Sequence, residues 1–558
     1  MPLDLADPGL RVELRRMLAR APEREPERAQ AVASWLDSLP GGSTLAFYGC
    51  GGIARRLAVE HGESLGRHRA VFFTTRQEPD RLFHGHPKRD VEAVRAAPPQ
   101  HIVLLSATFD QAMRQNLAGV DAQRMVGLAG IIRSHVSEEA LRACLEDVRA
   151  EARRVARKLA EALPGDGPVL GLHLMNFGSV YRPGPLRRIR EAGYRVALAT
   201  TRAATLPMSA EAMESEGVVD HLYVASSDEM LQLVLLELLE TTDLFTLFEF
   251  PKQFNNVWYV SAVARRARCA TIAYADNFLS SFYNDTDYAR RFSENTELDQ
   301  QTIRACYRDF FRNVDAVIHK DATQVLDRFT TLFGASPERL FFLPYTEGGM
   351  LPGSTGMKRS ARDGIRRIAF GHSLHQGFFH KEWYDQDAFM RLVRDITATG
   401  LGFTVYNSMD PDGSGWEDLM ALARENPLFE YRTGIPYDRF LRELQAYDYG
   451  WLGFRFEGVP GEFVRTNLQL KVFAYAQAGL PTLVSPEFEH CRALVESNGL
   501  GLTVQSSDWP RLPEILDAFD AEACRARLEA FCRNLDVDVH VRDMIAFYDR
   551  LARKQATP

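Results

Sequence analysis

The sequence predicts an α/β protein with three Rossmann-like domains, on the basis of three observations. The chain has 558 residues, which exceeds what one core organises and fits three or four domains of ordinary size. Short apolar runs alternate with helical patterns along most of the chain, as is typical of parallel sheets. Two Gly- and Pro-containing stretches, 164–168 and 348–364, interrupt that alternation. They separate three sets of strands and helices.

The first set follows a charged helical segment over residues 1–40 that ends at Pro40-Gly41-Gly42. A Rossmann-like domain is predicted over 41–134. Its strands are expected at 45–48, 70–74 and 101–106. A connecting helix is predicted over 135–167, because apolar residues recur there every three to four positions up to the Pro/Gly break.

The second and third sets are separated by a hinge linker predicted at 348–364. The second domain is predicted over 168–347 and the third over 365–558. The strands expected in them lie at 169–174, 195–199, 220–224, 244–250, 271–275, 317–318, 368–371, 403–406, 429–431, 449–453 and 482–484. These two sets are expected to form two Rossmann-type halves.

Composition excludes several classes of protein. A net charge of −8 argues against a nucleic-acid partner, since phosphate binding needs a concentrated basic surface. Seven scattered cysteines without a C-x-x-C pair are typical of a reducing compartment, so a cytoplasmic location is predicted. No apolar run reaches the roughly 20 residues of a membrane span, and no transmembrane segment is expected. Whether the chain forms a homo-oligomer stays open.

The segment 450–504 is the most informative part of the chain. It reads as a buried strand, a polar loop with glycine, a helix over about 467–477, a Gly479-Leu480-Pro481 stop and a second buried strand. This is a βαβ unit. Ligands of such units lie beyond the carboxyl ends of the strands, where loop backbone and a helix N-terminus hold phosphate. A binding site is therefore predicted around 454–466.

The same segment resembles a known family. The pattern K-x-F-x-Y-x-x-x-G-x-P looks like the donor-binding helix of GT-B glycosyltransferases, and 429–454 and 311–319 are similar to two further segments of that family in the right order. The residues that carry the pattern are Lys471, Phe473, Tyr475, Gly479 and Pro481. The resemblance implies that the last two domains form a GT-B pair of facing parallel sheets. It also implies a nucleotide-sugar donor on 365–558, an acceptor on 168–347, and no required metal or cofactor.

Donor-site residues follow from the resemblance. Lys381 matches the family's phosphate-binding lysine, and Glu457 matches the first glutamate of its donor loop. The full set that the resemblance implies for the donor is Gly371, His372, Lys381, Arg455, Gly458, Arg465, Asn467 and Lys471, with Glu457 as a catalytic carboxylate. The family's second glutamate is absent: Arg465 stands eight positions after Glu457, and Asn467 and Gln469 are the polar substitutes nearby.

An inverting transfer needs a general base from the acceptor half, whereas a retaining one does not. His173 ends one predicted strand of that half, and Asp276 ends another. Both are therefore candidate catalytic bases. A structural hydrogen-bonding role is the alternative for each.

Two further motifs suggest ligand sites. The run 371–380 contains three histidines, but no cysteine or carboxylate at ligand spacing accompanies them, so no metal site is predicted. In the first domain, Gly49, Gly51 and Gly52 follow a predicted strand and open a helix, which makes a nucleotide-binding turn. No acidic residue follows the second strand to hold a ribose. A scaffold or sensor role is therefore favoured there over a redox role.

The sequence thus predicts a glycosyltransferase that moves a sugar from a nucleotide-sugar donor to a glycan, protein or lipid-linked acceptor. Such activity serves polysaccharide biosynthesis or protein glycosylation. Two alternatives remain open. One is a non-catalytic nucleotide- or sugar-binding GT-B scaffold, suggested by the missing glutamate. The other is a related GT-B enzyme, such as a nucleotide-sugar epimerase or a glycerophosphotransferase.

Overall fold

The computed structural model contains three separate sheets. The residues that it describes are 3–20, 24–74, 82–106, 113–114, 116–163, 165–174, 183–201, 210–251, 257–275, 300–346, 348–351, 358–372, 386–407, 417–432, 435, 437–456 and 462–555.

The first sheet has the strand order β3-β4-β2-β1-β5-β6 and is parallel except for β3. Its strands are β1 (Thr44–Tyr48), β2 (Arg69–Thr74), β3 (Leu82–Phe83), β4 (His86–Asp90), β5 (His101–Leu104) and β6 (Met125–Gly127). The helices are α1 (Pro8–Arg20), α2 (Glu25–Asp37), α3 (Gly52–Glu60), α4 (Gly62–Gly66), α5 (Val91–Ala96) and α6 (Leu128–His135). The central strand β1 is an apolar run buried on both faces, as an inner parallel strand must be.

The helix predicted after the first sheet is present as α7 (Glu138–Ala162). Ser137 caps it, since its hydroxyl accepts a hydrogen bond from the Ala140 amide, and two glutamates in the first turn complement the helix dipole. Its apolar stripe is buried and packs against the core of the second sheet. This helix therefore joins the first and second sheets through one continuous core.

The second sheet is parallel, with the order β13-β12-β11-β10-β7-β8-β9. Its strands are β7 (Val169–His173), β8 (Arg195–Thr201), β9 (His221–Ala225), β10 (Leu247–Pro251), β11 (Ala270–Ala275), β12 (Ala316–His319) and β13 (Glu338–Phe341). The helices between them are α8 (Pro183–Glu191), α9 (Ala210–Ser215), α10 (Asp228–Thr241), α11 (Val257–Arg266), α12 (Gln300–Asn313) and α13 (Thr323–Phe333).

The third sheet is also parallel, with the order β16-β15-β14-β17-β18-β19. Its strands are β14 (Arg367–His372), β15 (Gly402–Asn407), β16 (Phe429–Arg432), β17 (Tyr449–Leu452), β18 (Thr482–Val484) and β19 (Gly501–Thr503). The helices from its start onward are α14 (Ser360–Asp363), α15 (Gln386–Thr397), α16 (Glu417–Glu425), α17 (Tyr437–Leu444), α18 (Glu462–Thr466), α19 (Lys471–Gln477), α20 (Glu489–Asn498), α21 (Leu512–Asp517), α22 (Ala521–Asn534) and α23 (Val537–Gln555).

The helix predicted over 467–477 begins later, at Lys471. Residues 467–469 are not helical because the thiol of Cys491 engages their backbone. The Gln469 amide donates to Cys491 Sγ at 3.2 Å, and that sulfur lies 3.4 Å from the Asn467 carbonyl oxygen. Asn467 therefore precedes the helix and is not part of its first turn.

The last two sheets contact each other at their carboxyl edges and through the C-terminal helix. The Ala322 amide, just beyond β12, donates to the Thr466 carbonyl at 3.2 Å. The helix α23 crosses back to the second sheet and packs into its core, where Tyr548 lies within hydrogen-bonding distance of Glu249. The predicted α/β class is confirmed, and each of the last two domains has its own parallel sheet as expected. No helix among the residues described is long and apolar enough to cross a membrane.

Candidate functional site

The candidate site lies at the carboxyl ends of β14 and β17, which are neighbours in the third sheet. The helix α19 packs against β17 and carries the motif that resembles the family's donor-binding helix. Ligands of open parallel sheets bind beyond this edge. The positions at the edge are therefore the ones to compare with the sequence-predicted set.

Tyr475 of α19 ties the ends of the two strands together. Its hydroxyl accepts a hydrogen bond from the Gly371 amide at 3.1 Å and donates one to the Trp451 carbonyl at 3.0 Å. Gly450 makes room for this ring, since a Cβ at that position would lie 2.3 Å from Tyr475 Cγ. The tyrosine of the motif is thus a structural brace beneath the candidate site.

Lys471 begins α19 and lies 5.0 Å from the ring centroid of Phe370 in β14. Burial lowers the pKa of this ammonium to about 7, with a smaller opposing effect of Cys491. No carboxylate pairs with Lys471 among the described residues. A desolvated cation over an aromatic face and without a counter-charge is suited to an anionic ligand.

The two predicted arginines engage surface carboxylates. Arg455 pairs with Asp395 at 2.8 Å, and Arg465 pairs with Glu489 at 2.8 Å. All four side chains are more than two-fifths exposed. A surface ion pair is the alternative to phosphate binding that the sequence leaves open for Arg465, whereas nothing in the sequence indicates the pair of Arg455. In this structure their carboxylates compete with a phosphate for the guanidinium groups.

Asn467 is 4% exposed, and its side-chain oxygen has no hydrogen-bond partner among the described residues. A buried amide oxygen left without a donor is costly. A donor group of a ligand, such as a hydroxyl, would satisfy it. This fits the prediction that Asn467 substitutes for the missing glutamate, which stays a prediction.

Several predicted residues lie outside the described part of the chain. These are Asp276, Lys381, Glu457 and Gly458. For His372 the structure describes the backbone, which ends β14, but not the side chain. Gly371 is described: a Cβ there would lie 2.5 Å from Phe440 Cζ, so glycine lets α17 approach β14. The functional roles of all six stay predictions.

His173 ends β7 and is 3% exposed. Its Nδ1 lies 3.0 Å from the Tyr259 hydroxyl, and its Nε2 has no partner among the described residues. Burial lowers the pKa of His173 to about 3, so the imidazole is neutral at pH 7. A base with so low a pKa is a weak proton acceptor at neutral pH.

Sequence reasoning missed Lys320 and Asp321, which follow β12 directly. They are 3% and 1% exposed, and both influence the ionisation of Cys491 in the third domain. Two charged residues immediately after an apolar strand are the signal that could have found them. They place buried charge at the junction between the second and third sheets.

The glycine turn of the first domain is formed as predicted. Gly49 has φ +115°, which favours glycine, and α3 begins at Gly52. The Glu25 carboxylate lies against Gly52, about where a Cβ would be, with Oε1 2.0 Å from that position. A carboxylate at this helix start occupies space that a bound phosphate would need. Nucleotide binding at Gly49, Gly51 and Gly52 stays a prediction.

Among the residues that the structure describes, no group of three or more His, Cys, Asp or Glu side chains could hold a metal ion. Most of the histidine-containing run 371–380 lies outside that set. The seven cysteines are free thiols.

Comparison with known proteins gives a likeness of fold only. No protein-family model and no curated protein matches the sequence. HepE of Anabaena, solved in complex with UDP, is 11% identical, and the match covers 69% of this chain and all of HepE with a TM-score of 0.45. The trehalose-6-phosphate synthase OtsA is 9% identical over 68% of this chain and 99% of its own, with a TM-score of 0.44. The galactosyltransferase WaaB is 7% identical over 68% and 99%, with a TM-score of 0.43.

Proposed function

We propose that this protein is a metal-independent GT-B glycosyltransferase that uses a nucleotide-sugar donor. The observation that carries the proposal is Lys471. It is a largely desolvated cation without a carboxylate partner among the described residues, at the carboxyl edge of a parallel sheet. The motif in which it stands resembles a donor-binding helix. The acceptor in this proposal is a glycan, a protein or a lipid-linked sugar.

The chemistry explains why such a cation is needed. When the glycosidic bond to the diphosphate breaks, negative charge develops on the leaving oxygen and positive charge on the sugar ring. The Lys471 ammonium would stabilise the negative charge on the leaving oxygen, and the Glu457 carboxylate would lie near the positive charge on the sugar ring. Because Lys471 is fixed by α19 and the Phe370 ring, little reorganisation is required at the moment of reaction.

In this proposal the acceptor binds to the second domain, beside its sheet. If the reaction inverts configuration, a base must deprotonate the acceptor. Of the two candidates, the neutral and weakly basic His173 suits this role less well than Asp276. Domain closure about 348–364 would exclude water and favour transfer over hydrolysis. The free cysteines favour a cytoplasmic location.

A first prediction concerns nucleotide binding. One nucleoside diphosphate among UDP, GDP, ADP and dTDP is expected to raise the thermal stability of the protein, by about 2.7 kcal/mol at a concentration 100 times its Kd. The Lys471→Met variant is expected to lose this stabilisation. It should remain folded, because it removes a largely desolvated charge and keeps the aliphatic bulk. Differential scanning fluorimetry measures both.

The control is Lys158→Met, which removes an exposed lysine on α7 and should bind like the parent protein. The pH profile identifies the group involved. The Lys471 ammonium binds phosphate, and it loses its proton as the pH rises above its pKa of about 7. The affinity for the nucleotide should therefore fall by up to tenfold for each pH unit above 7. Lys471→Met should show no such slope. A stabilising nucleotide that binds Lys471→Met as well as the parent would remove the basis of the proposal.

A second prediction concerns turnover. With the nucleotide so identified, the matching nucleotide sugars are expected to release nucleoside diphosphate in the presence of a glycan, peptide or lipid-linked acceptor, and Lys471→Met to release it at least 100-fold more slowly. Product analysis separates the alternatives. Binding of the nucleotide without turnover indicates a non-catalytic scaffold. The missing glutamate and the ion pairs of Arg455 and Arg465 would explain such a lack of activity. An isomerised sugar nucleotide indicates an epimerase.

A further inference from the structure

Three aromatic rings stack at the junction between the second and third sheets. His319 ends β12 and Phe341 ends β13, both in the second sheet, whereas His490 lies in the first turn of α20 in the third domain. The ring centroid of Phe341 lies 5.5 Å from that of His319 and 6.1 Å from that of His490. Both pairs have edge-to-face geometry. One phenyl ring thus bridges two imidazoles that belong to different domains.

Each imidazole is also bound to the backbone beside it. His490 Nε2 lies 3.1 Å from the Lys320 carbonyl, across the domain junction. His319 Nδ1 lies 3.0 Å from the Asp321 carbonyl, within the second domain. A carbonyl only accepts, so each of these nitrogens carries a proton. The neutral form of each ring is sufficient for these bonds.

The surroundings favour that neutral form. Burial lowers the pKa of both His319 and His490, and each backbone carbonyl opposes this to a smaller extent. The charged groups that face His319 are Arg339, His490 and Asp327, with Arg339 paired to Asp327. The buried Lys320 supplies the carbonyl that His490 contacts. A second proton on His319 would be placed near Arg339 and, once it is charged, near His490.

We propose that the His319–Phe341–His490 stack is a pH-sensitive latch that holds the second and third domains together at neutral pH and releases them in mild acid. Protonation would put two imidazolium rings on one phenyl ring beside Arg339. Separation of the domains returns His490 to water, where its charge is solvated. The proposal concerns the arrangement of the two halves, so it holds or fails whether or not the protein transfers a sugar.

The size of the effect is bounded by the free pKa of histidine, about 6.5. Consider a histidine ring that stays neutral in the closed state and titrates freely in the open state. At pH 5.5, one unit below its free pKa, such a ring raises the equilibrium constant for opening about tenfold. Two such rings together favour it by at most about 100-fold. The stack would therefore act between pH 7 and pH 5.5.

Hydrogen exchange of one amide measures this opening directly. The Ala322 amide donates to Thr466 across the junction, whereas the Leu174 amide donates to Ala199 within the second sheet. After correction for intrinsic rates, the protection of Ala322 in the parent protein is expected to fall between pH 8 and pH 5.5, by up to about 100-fold. That of Leu174 should stay constant. Residue-resolved mass spectrometry without nucleotide gives both values.

The His319→Gln and His490→Gln variants each remove one titrating ring and keep a hydrogen-bond donor. His490→Gln is expected to reduce the loss of Ala322 protection by about tenfold, and His319→Gln by less, because His319 stays bound within the second domain. The matched control is His221→Gln in β9, a part-buried histidine away from the junction, which should behave like the parent. Two results would overturn the proposal: parent protection at Ala322 that does not change with pH, or a full fall that persists in both glutamine variants. If a variant does not fold, the pH dependence of Ala322 protection in the parent protein is sufficient to test the proposal.

Discussion

The Glu249→Gln variant is expected to become progressively more stable than the parent protein as the pH rises from about 4.5 to 8. Glu249 lies in β10, at the centre of the second sheet, and is 1% exposed. One oxygen is 2.5 Å from the Tyr548 hydroxyl of α23, and the other has no partner among the described residues. The carboxyl group is therefore protonated in the folded protein at neutral pH.

The sign follows from proton linkage. Burial raises the pKa of Glu249 from 4.5 to about 8, and the Tyr548 hydrogen bond opposes this in part. Between these values the folded state holds a proton that the unfolded state has lost, so folding stability falls as the pH rises. A shift of this size corresponds to a loss on the order of 4 kcal/mol by pH 8, and the loss levels off above that pH. Glutamine at this position does not titrate, so the variant does not lose this stability.

The measurement is the free energy of unfolding in denaturant at pH 5, 6.5 and 8. A chain of three domains need not unfold in one step, so the signal should be hydrogen exchange in α23 and β10. Glu161→Gln, at an exposed position of α7, is the control and should follow the parent at every pH. Parallel curves for Glu249→Gln and the parent would show that the carboxyl group titrates normally, contrary to the buried position.

The central strands could be predicted because they are apolar runs buried on both faces. The strand expected at 169–174 is β7 (Val169–His173), and that expected at 271–275 is β11 (Ala270–Ala275). Their burial depends on the sheet alone, which the alternation of elements already indicates. The late start of α19 could not be predicted, because it depends on the thiol of Cys491, 22 residues further along the chain.

The residues of the candidate site also form two groups, those whose position could be predicted from the sequence and those whose contacts could not. Lys471 and Tyr475 stand in a motif, so their position at the strand ends follows from the local order of elements. The ion pairs of Arg455 and Arg465 depend on Asp395 and Glu489, which are distant in sequence, and no pattern in the chain relates them. The junction of Lys320 with His490 joins residues 170 positions apart. Contacts of this kind are fixed by tertiary packing and not by periodicity.

The brace formed by Tyr475 leads to the second large effect, expected for Gly450→Ala. A Cβ at this position would lie 2.3 to 2.7 Å from three ring atoms of Tyr475, which is itself completely buried. Neither the central strand β17 nor the ring has space to move, so overpacking should cost about 3 kcal/mol of stability. Nucleotide binding should weaken as well, since a displaced Tyr475 loses its bonds to Gly371 and Trp451.

A double-mutant cycle separates this contact from a general effect of alanine. In a Tyr475→Ala background the same Gly450→Ala change meets open space, so its cost should fall below about 1 kcal/mol. Gly130→Ala, in α6 with nothing within 4 Å of the added methyl, should be neutral or stabilising. Equal costs of Gly450→Ala in both backgrounds would mean that Tyr475 does not press on β17. The motif tyrosine would then not be the brace that holds the ends of β14 and β17 beneath the proposed donor site.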